Sequence, residues 1–332
     1  MLAADVQPVI KRTTSQLTLI DRWIHFLARF SINRMGHRID PGLYCVGEPD
    51  AESSVFVTAN YSLSFDALRT AICGLDAYIL VLDTKGINVW CAAGKGTFGT
   101  NELVHRIELC QLSKIVNHRV LILPQLGATG VAAHLVEKRT GFTVEFGPVR
   151  AADLTEYLKN GPATPEMRRV YFNFKDRLVL VPVEFIGSLT KMLILAIPFY
   201  FIGGYQYVIA IFAAITAATV LFPLLLPWIP TTNFSTKGFI IGGLVALPFF
   251  MISLMHNPEV EFWKRFLWGS TYMFTLPALT AFLTLNFTGA TTFTSRTGLK
   301  REMFRYIPVM AWMFGGGIVL ALILNFYYEL GA

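Results

Sequence analysis

The chain has 332 residues, of which 54% are hydrophobic and only 15% charged, with a mean hydropathy of +0.51. That is too apolar for an ordinary soluble globular protein. The net charge of +6 lies partly in loops flanking apolar runs, where basic residues set membrane orientation, so it does not point to nucleic acid. Cys45, Cys73, Cys91 and Cys110 show neither a Cys-x-x-Cys pair nor zinc-ligand spacing, and no disulfide framework is expected. Asp5, Lys11, Arg12, Asp21, Arg22 and Arg29 interrupt every early apolar run, so the front is expected to lack a secretory signal and to stay in the cytoplasm with reduced thiols.

In chain order, Leu17, Ile20, Trp23, Ile24, Leu27 and Phe30 recur at helical spacing and predict one amphipathic helix, which either packs on the following domain or lies on a membrane surface. After a turn at Asp40-Pro41-Gly42, short apolar runs alternate with helical patterns. Strands are expected at Ser54 to Thr58, Ala77 to Leu82, Arg119 to Leu123 and Phe142 to Phe146. Helices are expected at Leu63 to Cys73, Asn101 to Ile115, Val131 to Thr140 and Ala151 to Leu158. Such alternation implies an α/β, Rossmann-like, mostly parallel sheet with helices on both faces. Ligands then sit at the carboxyl ends of the strands, in the loops Ala59 to Ser64, Asp83 to Thr100 and Pro124 to Gly130.

A linker rich in Pro, Arg and Lys leads to five apolar spans: Val183 to Gly203, Gln206 to Trp228, Gly238 to His256, Phe266 to Phe287 and Ile307 to Tyr328. Each approaches the ~20 residues that cross a ~30 Å hydrocarbon core. The chain therefore divides into an N-terminal helix and lead-in (1–40), an α/β domain (41–160), a linker (161–180) and an all-α transmembrane domain of about five helices (181–332). Arg168, Arg169, Lys175 and Arg177, then Lys237, then Arg296, Lys300, Arg301 and Arg305 fall on one side. The other side has Lys264 and Arg265, offset by Glu259 and Glu261, which predicts a cytoplasmic front domain and an outside C-terminus in the inner membrane. Gly203-Gly204, Gly242-Gly243 and Gly315-Gly316-Gly317 would let helices approach closely. Lys191 and His256 lie near span ends, within snorkelling reach of the interface, and so few buried charges disfavour an ion-coupled transporter.

The segment from Asp83 to Thr100 carries the chemistry. It sets one thiol, Cys91, on a short helix, with Gly86 before it and Gly94, Gly96 and Gly99 after it opening the backbone to a large flat ligand. A phosphate-binding loop would need Gly at Val89 and Ser or Thr at Gly96. A Cys-His hydrolase using His105 or His134 lacks a recognisable signature. The bland alternative, Cys91 as a small buried hydrophobe, stays open, and it is the expected state of Cys45, Cys73 and Cys110.

The run Asn88-Val89-Trp90-Cys91-Ala92-Ala93-Gly94-Lys95, followed by membrane spans, closely resembles the corrinoid protein family of microbial mercury methylation. Pro41-Gly42-Leu43-Tyr44 and Pro124-Gln125-Leu126-Gly127-Ala128-Thr129-Gly130-Val131 extend the likeness. More distantly, the front domain resembles the corrinoid-binding domain of the corrinoid iron-sulfur protein of acetyl-CoA synthesis. The resemblance implies a bound cobalamin-type corrinoid with Cys91 as lower axial ligand to cobalt and Asn88 to Lys95 as the cap beneath the ring. It further implies a methyltransferase cycle in which methyl-Co(III) delivers its methyl group to an Hg(II) thiolate complex, giving methylmercury. The methyl comes from a methyl-folate-linked donor, and a small ferredoxin-like partner with two 4Fe–4S clusters returns the cobalt to Co(I). Thr58, Asn60 and Ser62 after the first core strand, and Gly127, Thr129 and Gly130 after the third, suit contacts to the corrin or its nucleotide tail, or else are ordinary strand-to-helix turns. Two other functions remain: a corrinoid methyl carrier of one-carbon metabolism, in whose relative the cap cysteine is missing, and a permease with a cytoplasmic regulatory domain.

Overall fold

In the computed structural model, which describes residues 9–290 and 296–329, the front half builds one sheet from six strands. These are β1 (Ile10–Thr13), β2 (Gly42–Val46), β3 (Val55–Ala59), β4 (Ala77–Leu82), β5 (Val120–Leu123) and β6 (Thr143–Phe146), in the order β1-β2-β4-β3-β5-β6. Asp5 lies outside the described residues, as do the side chains of 288–296, Arg296 among them. Strands β4, β3, β5 and β6 run parallel to one another. β2 runs antiparallel to β4, and β1 lies parallel to β2 at the edge, so the sheet is mixed rather than purely parallel. These two strands escape the sequence reading because β1 is half charged, as an edge strand that must resist further pairing tends to be, and β2 begins within the Asp40-Pro41-Gly42 segment that reads as a turn.

Period-two alternation sends Val55, Val57 and Ala59 with Leu80, Leu82, Leu121 and Leu123 to one face, and Phe56, Ile79, Val81 and Ile122 to the other. Helices α1 (Leu19–Arg29), α2 (Ser62–Ala71), α3 (Val89–Lys95), α4 (Thr100–Leu109), α5 (Ala133–Thr140) and α6 (Leu154–Asn160) complete the front unit. Leu103, Val104 and Ile107 of α4 bury against the first face, and Phe65 and Leu68 of α2 against the second. Because the chain passes from β3 to β4 on one side and then to β5 on the other, the strand order reverses between β3 and β5. The carboxyl ends of those two strands flank the crevice where ligands bind in open α/β sheets.

The chain separates into two units, residues 1–171 and 172–332. The second holds α7 (Phe174–Thr216), α8 (Phe222–Leu225), α9 (Phe234–Met255), α10 (Phe262–Thr284) and α11 (Arg296–Glu329). Four stretches of the described residues are long and apolar enough to cross a membrane, and the first runs over 52 residues, Phe174–Leu225. Straight, that stretch would be about 78 Å long, more than twice a bilayer core. It is broken at Gly203 and Gly204, where Gly204 takes φ +66, a left-handed conformation that only glycine adopts without cost. This pair therefore acts as a helix break and not as a packing surface. The guanidinium of Arg177 lies 5.5 Å from the ring centre of Trp228. A straight helix would separate those residues by about 75 Å, so the chain doubles back at the glycine pair. Close packing falls instead to Gly238 and Gly242 of α9, where an added Cβ would stand 2.5 Å from the Cα of Ala281 and of Pro277 on α10. Gly317 of α11 is tight against α10 in the same way, with an added Cβ 2.6 Å from Thr275, whereas nothing lies within contact of such a Cβ at Gly243, Gly315 or Gly316.

Lys237, counted above among loop charges, is instead in the first turn of α9. It is buried, with Nζ donating to the carbonyls of Leu226 (2.8 Å) and Ile229 (2.6 Å). The buried Glu302 of α11 accepts from the Ser235 amide, capping the start of α9. Lys191 and His256 are both exposed. The reversal is checked by pairing Arg177→Cys with Trp228→Cys in otherwise cysteine-free membranes. The expected outcome is an oxidant-dependent intrachain crosslink, seen as a mobility shift, whereas a straight helix gives none.

Candidate functional site

Helix α3 is seven residues long and set by its caps. Asn88 accepts the Cys91 amide at 2.9 Å through its side chain at the N-cap, and Gly96 ends the helix at φ +83. Val89, Ala92 and Ala93 are buried, seating one side of the helix. At 100° per residue, Cys91 and Lys95 fall on the side turned away from them. Cys91 is half-buried and Lys95 exposed, so the thiol faces outward from the sheet edge with a cation one turn away. Gly127 and Gly130 lie beneath the helix: a side chain at Gly127 would meet the Phe98 ring, and one at Gly130 would strike the Phe98 carbonyl and Ala93. These glycines let the cap sit low on the β5 loop, while Thr129 is exposed.

The loop between β4 and α3 hangs on Asn60. Its Oδ1 accepts from the Thr84 amide (3.0 Å), the Thr84 hydroxyl (2.8 Å) and the Gly86 amide (2.9 Å), and its Nδ2 donates to Asp83 (3.2 Å). Lys85 and Gly86 both have positive φ, which is costly at Lys85 and free at Gly86, in a turn that the Asn60 carbonyl ties to the end of β3. Glu102 of α4 accepts the Asp83 amide at 2.8 Å and pairs with Arg106 at 2.7 Å. Asn60, expected from sequence to touch a ligand, thus spends its amide on positioning the cap.

Beside the cap, at the β3–β5 reversal, a cavity of about 330 Å³ opens between Thr58, Leu63 and Ser64 on one side and Leu123, Pro124 and Leu126 on the other. Asn88, Val89 and Trp90 form part of its wall. The three loops singled out by topology therefore converge. Two buried polar atoms next to the cavity residues, the Ser62 hydroxyl and Gln125 Oε1, have no hydrogen-bond partner. Such orphans are uncommon in native proteins. Tyr61 is buried at the start of α2 under the Arg34 guanidinium, 5.8 Å from its ring centre. Burial pushes its phenol above the ordinary range against the pull of Arg34 and Arg29. Sequence reasoning missed Tyr61, Arg34, Thr84 and Glu102. The loop from Asp83 to Thr100 was singled out by sequence, and the Thr84-Lys85-Gly86 turn before Asn88 is the signal that could have found the role of Thr84 in it.

A corrinoid, the cofactor the resemblance implies, brings a macrocycle of nitrogens to its metal and asks the protein for an axial donor. Among the described residues no group of three or more His, Cys, Asp or Glu gathers to hold a bare metal ion. A single soft donor on an open helix face suits a metal that carries its own ring. The face is low, since Gly94 and Gly96 are exposed and a Cβ at Gly96 would meet nothing. The residues present fit the group. The other thiols differ: Cys45 is buried and Cys110 half-buried, but Cys73 is exposed rather than buried, accepting from the Ser15 hydroxyl at 3.4 Å.

Residues 27–158 match the protein family described as the CO dehydrogenase/acetyl-CoA synthase delta subunit. The front unit carries a domain of this kind. The chain is also 32% identical over 128 residues to the acetyl-CoA decarbonylase/synthase complex subunit gamma of Methanopyrus kandleri, covering 38% of this chain and 27% of that one. To the subunit of the same name from Archaeoglobus fulgidus it is 30% identical over 128 residues, with the same coverage. To subunit gamma 1 of Methanosarcina thermophila it is 32% identical over 132 residues, 37% of this chain and 27% of that one. The chain thus spans about a quarter of the length of these relatives.

Replacing Asn60 by Ala leaves the Thr84 and Gly86 amides without their acceptor, while the Thr84 hydroxyl keeps the Ile87 carbonyl at 2.7 Å. The expected cost is about 3 kcal/mol of local stability. Hydrogen–deuterium exchange checks it: amides of residues 84–95 lose protection while those of α4 keep theirs.

Proposed function

We propose that this chain is a membrane-anchored corrinoid methyltransferase that places a methyl group on mercuric ion held as a thiolate complex. The family match over residues 27–158 supports the cofactor and a methyl-carrying role. One observation carries the finer reading: the outward thiol of Cys91 on a capped helix beside the strand-order reversal. When bound, the corrinoid supplies a cobalt centre that can carry a methyl group and, with a thiolate donating from below, release it with its bonding electrons. Soft mercuric ion suits such a methyl.

The chain's own residues do the holding. Cys91 gives the soft donor, and Asn88 fixes its amide and so the first turn of the helix. Trp90, Gly94 and Lys95 would face the ring, and Val89, Ala92 and Ala93 seat the helix on the sheet behind them. Thr58, Ser62, Gly127, Thr129 and Gly130 border the place where its periphery would lie, and Asn60 positions the cap from behind. A small iron-sulfur protein with two 4Fe–4S clusters is the proposed reductant and a methyl-folate-linked compound the proposed donor. The doubled-back first stretch supports five crossings in all, with the front unit in the cytoplasm and the C-terminus outside.

A second reading, a methyl carrier of one-carbon metabolism, is favoured by the names of the relatives, which are subunits of acetyl-CoA decarbonylase/synthase complexes. The two readings part in one experiment on the full chain, purified anaerobically and loaded with cobalamin, beside Cys91→Ala. Cobalt X-ray absorption is expected to show a sulfur neighbour in the wild type and none in the variant, and methylmercury formation to fall at least about tenfold. Identical cobalt spectra remove Cys91 from the metal. A sulfur-ligated corrinoid that makes no methylmercury from mercuric thiolate leaves the one-carbon carrier.

A further inference from the structure

Helix α1 meets the front unit with its polar side. Asp21, His25 and Ala28 face α2, where His25 Nε2 lies 2.7 Å from Asp66. Asp66 also pairs with Arg69 at 2.5 Å, and Arg69 pairs with Asp21 at 2.7 Å. Arg69, nearly buried, donates further to the carbonyls of Thr14 (2.6 Å) and Gln16 (2.8 Å). Breaking a buried ion network of this kind by removing a partner costs several kcal/mol, about 3–5. The helix therefore cannot roll about its axis.

With the polar side pinned inward, the apolar side points out. Leu19 is 83% exposed, Ile20 71%, Trp23 59% and Phe26 45%. Trp23 stacks on Phe26 with ring centres 5.3 Å apart, and Phe26 on Phe30 at 4.4 Å, so the aromatics form one continuous stripe. Each large apolar side chain left in water forgoes about 1.5–3 kcal/mol, and soluble surfaces rarely carry such a patch without a use. Ile32 and Met35, also about half exposed, extend it past the helix end.

The occupant follows from charge and attachment. At 100° per residue Arg22 and Arg29 flank the stripe along one edge, and the helix's one acidic residue, Asp21, is spent inward. Trp and Phe edged by Arg is the composition of helices that lie in the headgroup boundary of anionic bilayers. The same chain carries stretches fit to cross a membrane, so a bilayer is always within reach. We infer that α1 is a membrane-surface helix whose outer stripe inserts into an anionic lipid surface while its inner side holds the front unit. This rests on the membrane reading of the second unit.

The test uses the full chain in proteoliposomes, with Trp23 isolated as the difference in fluorescence between wild type and Trp23→Phe. In anionic vesicles, lipid brominated high on its acyl chains is expected to quench that component at least about twofold, and aqueous iodide to reach it poorly. Arg22→Glu is expected to lower the quenching. If alkaline carbonate leaves the chain in the membrane but Trp23 is open to iodide and blind to brominated lipid, the surface helix is overturned and the membrane reading stands. Shielding from both quenchers also overturns it, since a protein then covers the stripe. If carbonate strips the chain from the vesicles, both readings fall.

Discussion

The geometry of the site depends on one side-chain carbonyl. Asn60 Oδ1, at the end of β3, gathers two donors of Thr84 and the Gly86 amide, all from the loop leaving the neighbouring strand. Without it, the turn at Lys85 and Gly86 would keep only its own bonds, from the Lys85 amide to Asp83 (3.0 Å) and from the Ile87 amide to the Thr84 carbonyl (3.2 Å), and would lose its tie to β3. A seven-residue helix cannot make up for that loss, because short helices are marginal in water and owe their stability to what they pack on. The thiol of Cys91 is thus placed by a chain of contacts running from strand to loop to cap. The same loop is closed from outside: a Cβ at Gly86 would stand 2.7 Å from the Met35 carbonyl, so the segment following α1 packs directly against it.

Buried charge elsewhere in the molecule has the same character. The Asp21–Arg69–Asp66–His25 network, Lys237 on two carbonyls and Glu302 on the Ser235 amide are all partnered. Buried ion pairs of this sort add little net stability relative to apolar packing, but the penalty for leaving one member unpaired is large. Their effect is to select one arrangement. In α1 that arrangement is opposite to the one the hydrophobic effect alone would choose.

Much of this was legible in the sequence, and what was not has physical causes. The four parallel strands read clearly because each is a short apolar run between turn signals, and α1 because its apolar residues repeat at helical spacing. That α1 would turn this face outward could not be read, since periodicity gives the direction of the apolar side relative to the helix and not relative to the domain. β1 and β2 were missed because their stability comes from pairing, not from their own composition. At the site, Cys91 and its cap announced themselves by an unusual run of residues. The partners of Asn60 lie more than twenty residues away in sequence, and a side chain's target across such a gap is set by sheet register, which the sequence does not display. Cys73 shows the converse error, an apolar run whose end reaches the surface.

In the second unit, one of the basic residues counted for orientation has a different place from the one its loop position implied. Lys237 leaves the tally of loop charges, because it is buried and bound to backbone carbonyls. The end of the helical unit to which it belongs is nonetheless marked independently. Arg177, at the start of the first stretch, meets Trp228, near the end of the same stretch, and Lys237 reaches the carbonyls of Leu226 and Ile229 beside that tryptophan. Gly203 and Gly204 share a cavity with Ser253, His256, Lys264 and Asn325, which puts the reversal of α7 at the end where α9 passes into α10 and α11 finishes. Two sets of contacts among the described residues therefore define two ends of the helical unit. Lys175 and Arg177, at the start of α7, and Lys300, Arg301 and Arg305, beside the Glu302 that reaches Ser235, then lie toward the first end without help from Lys237.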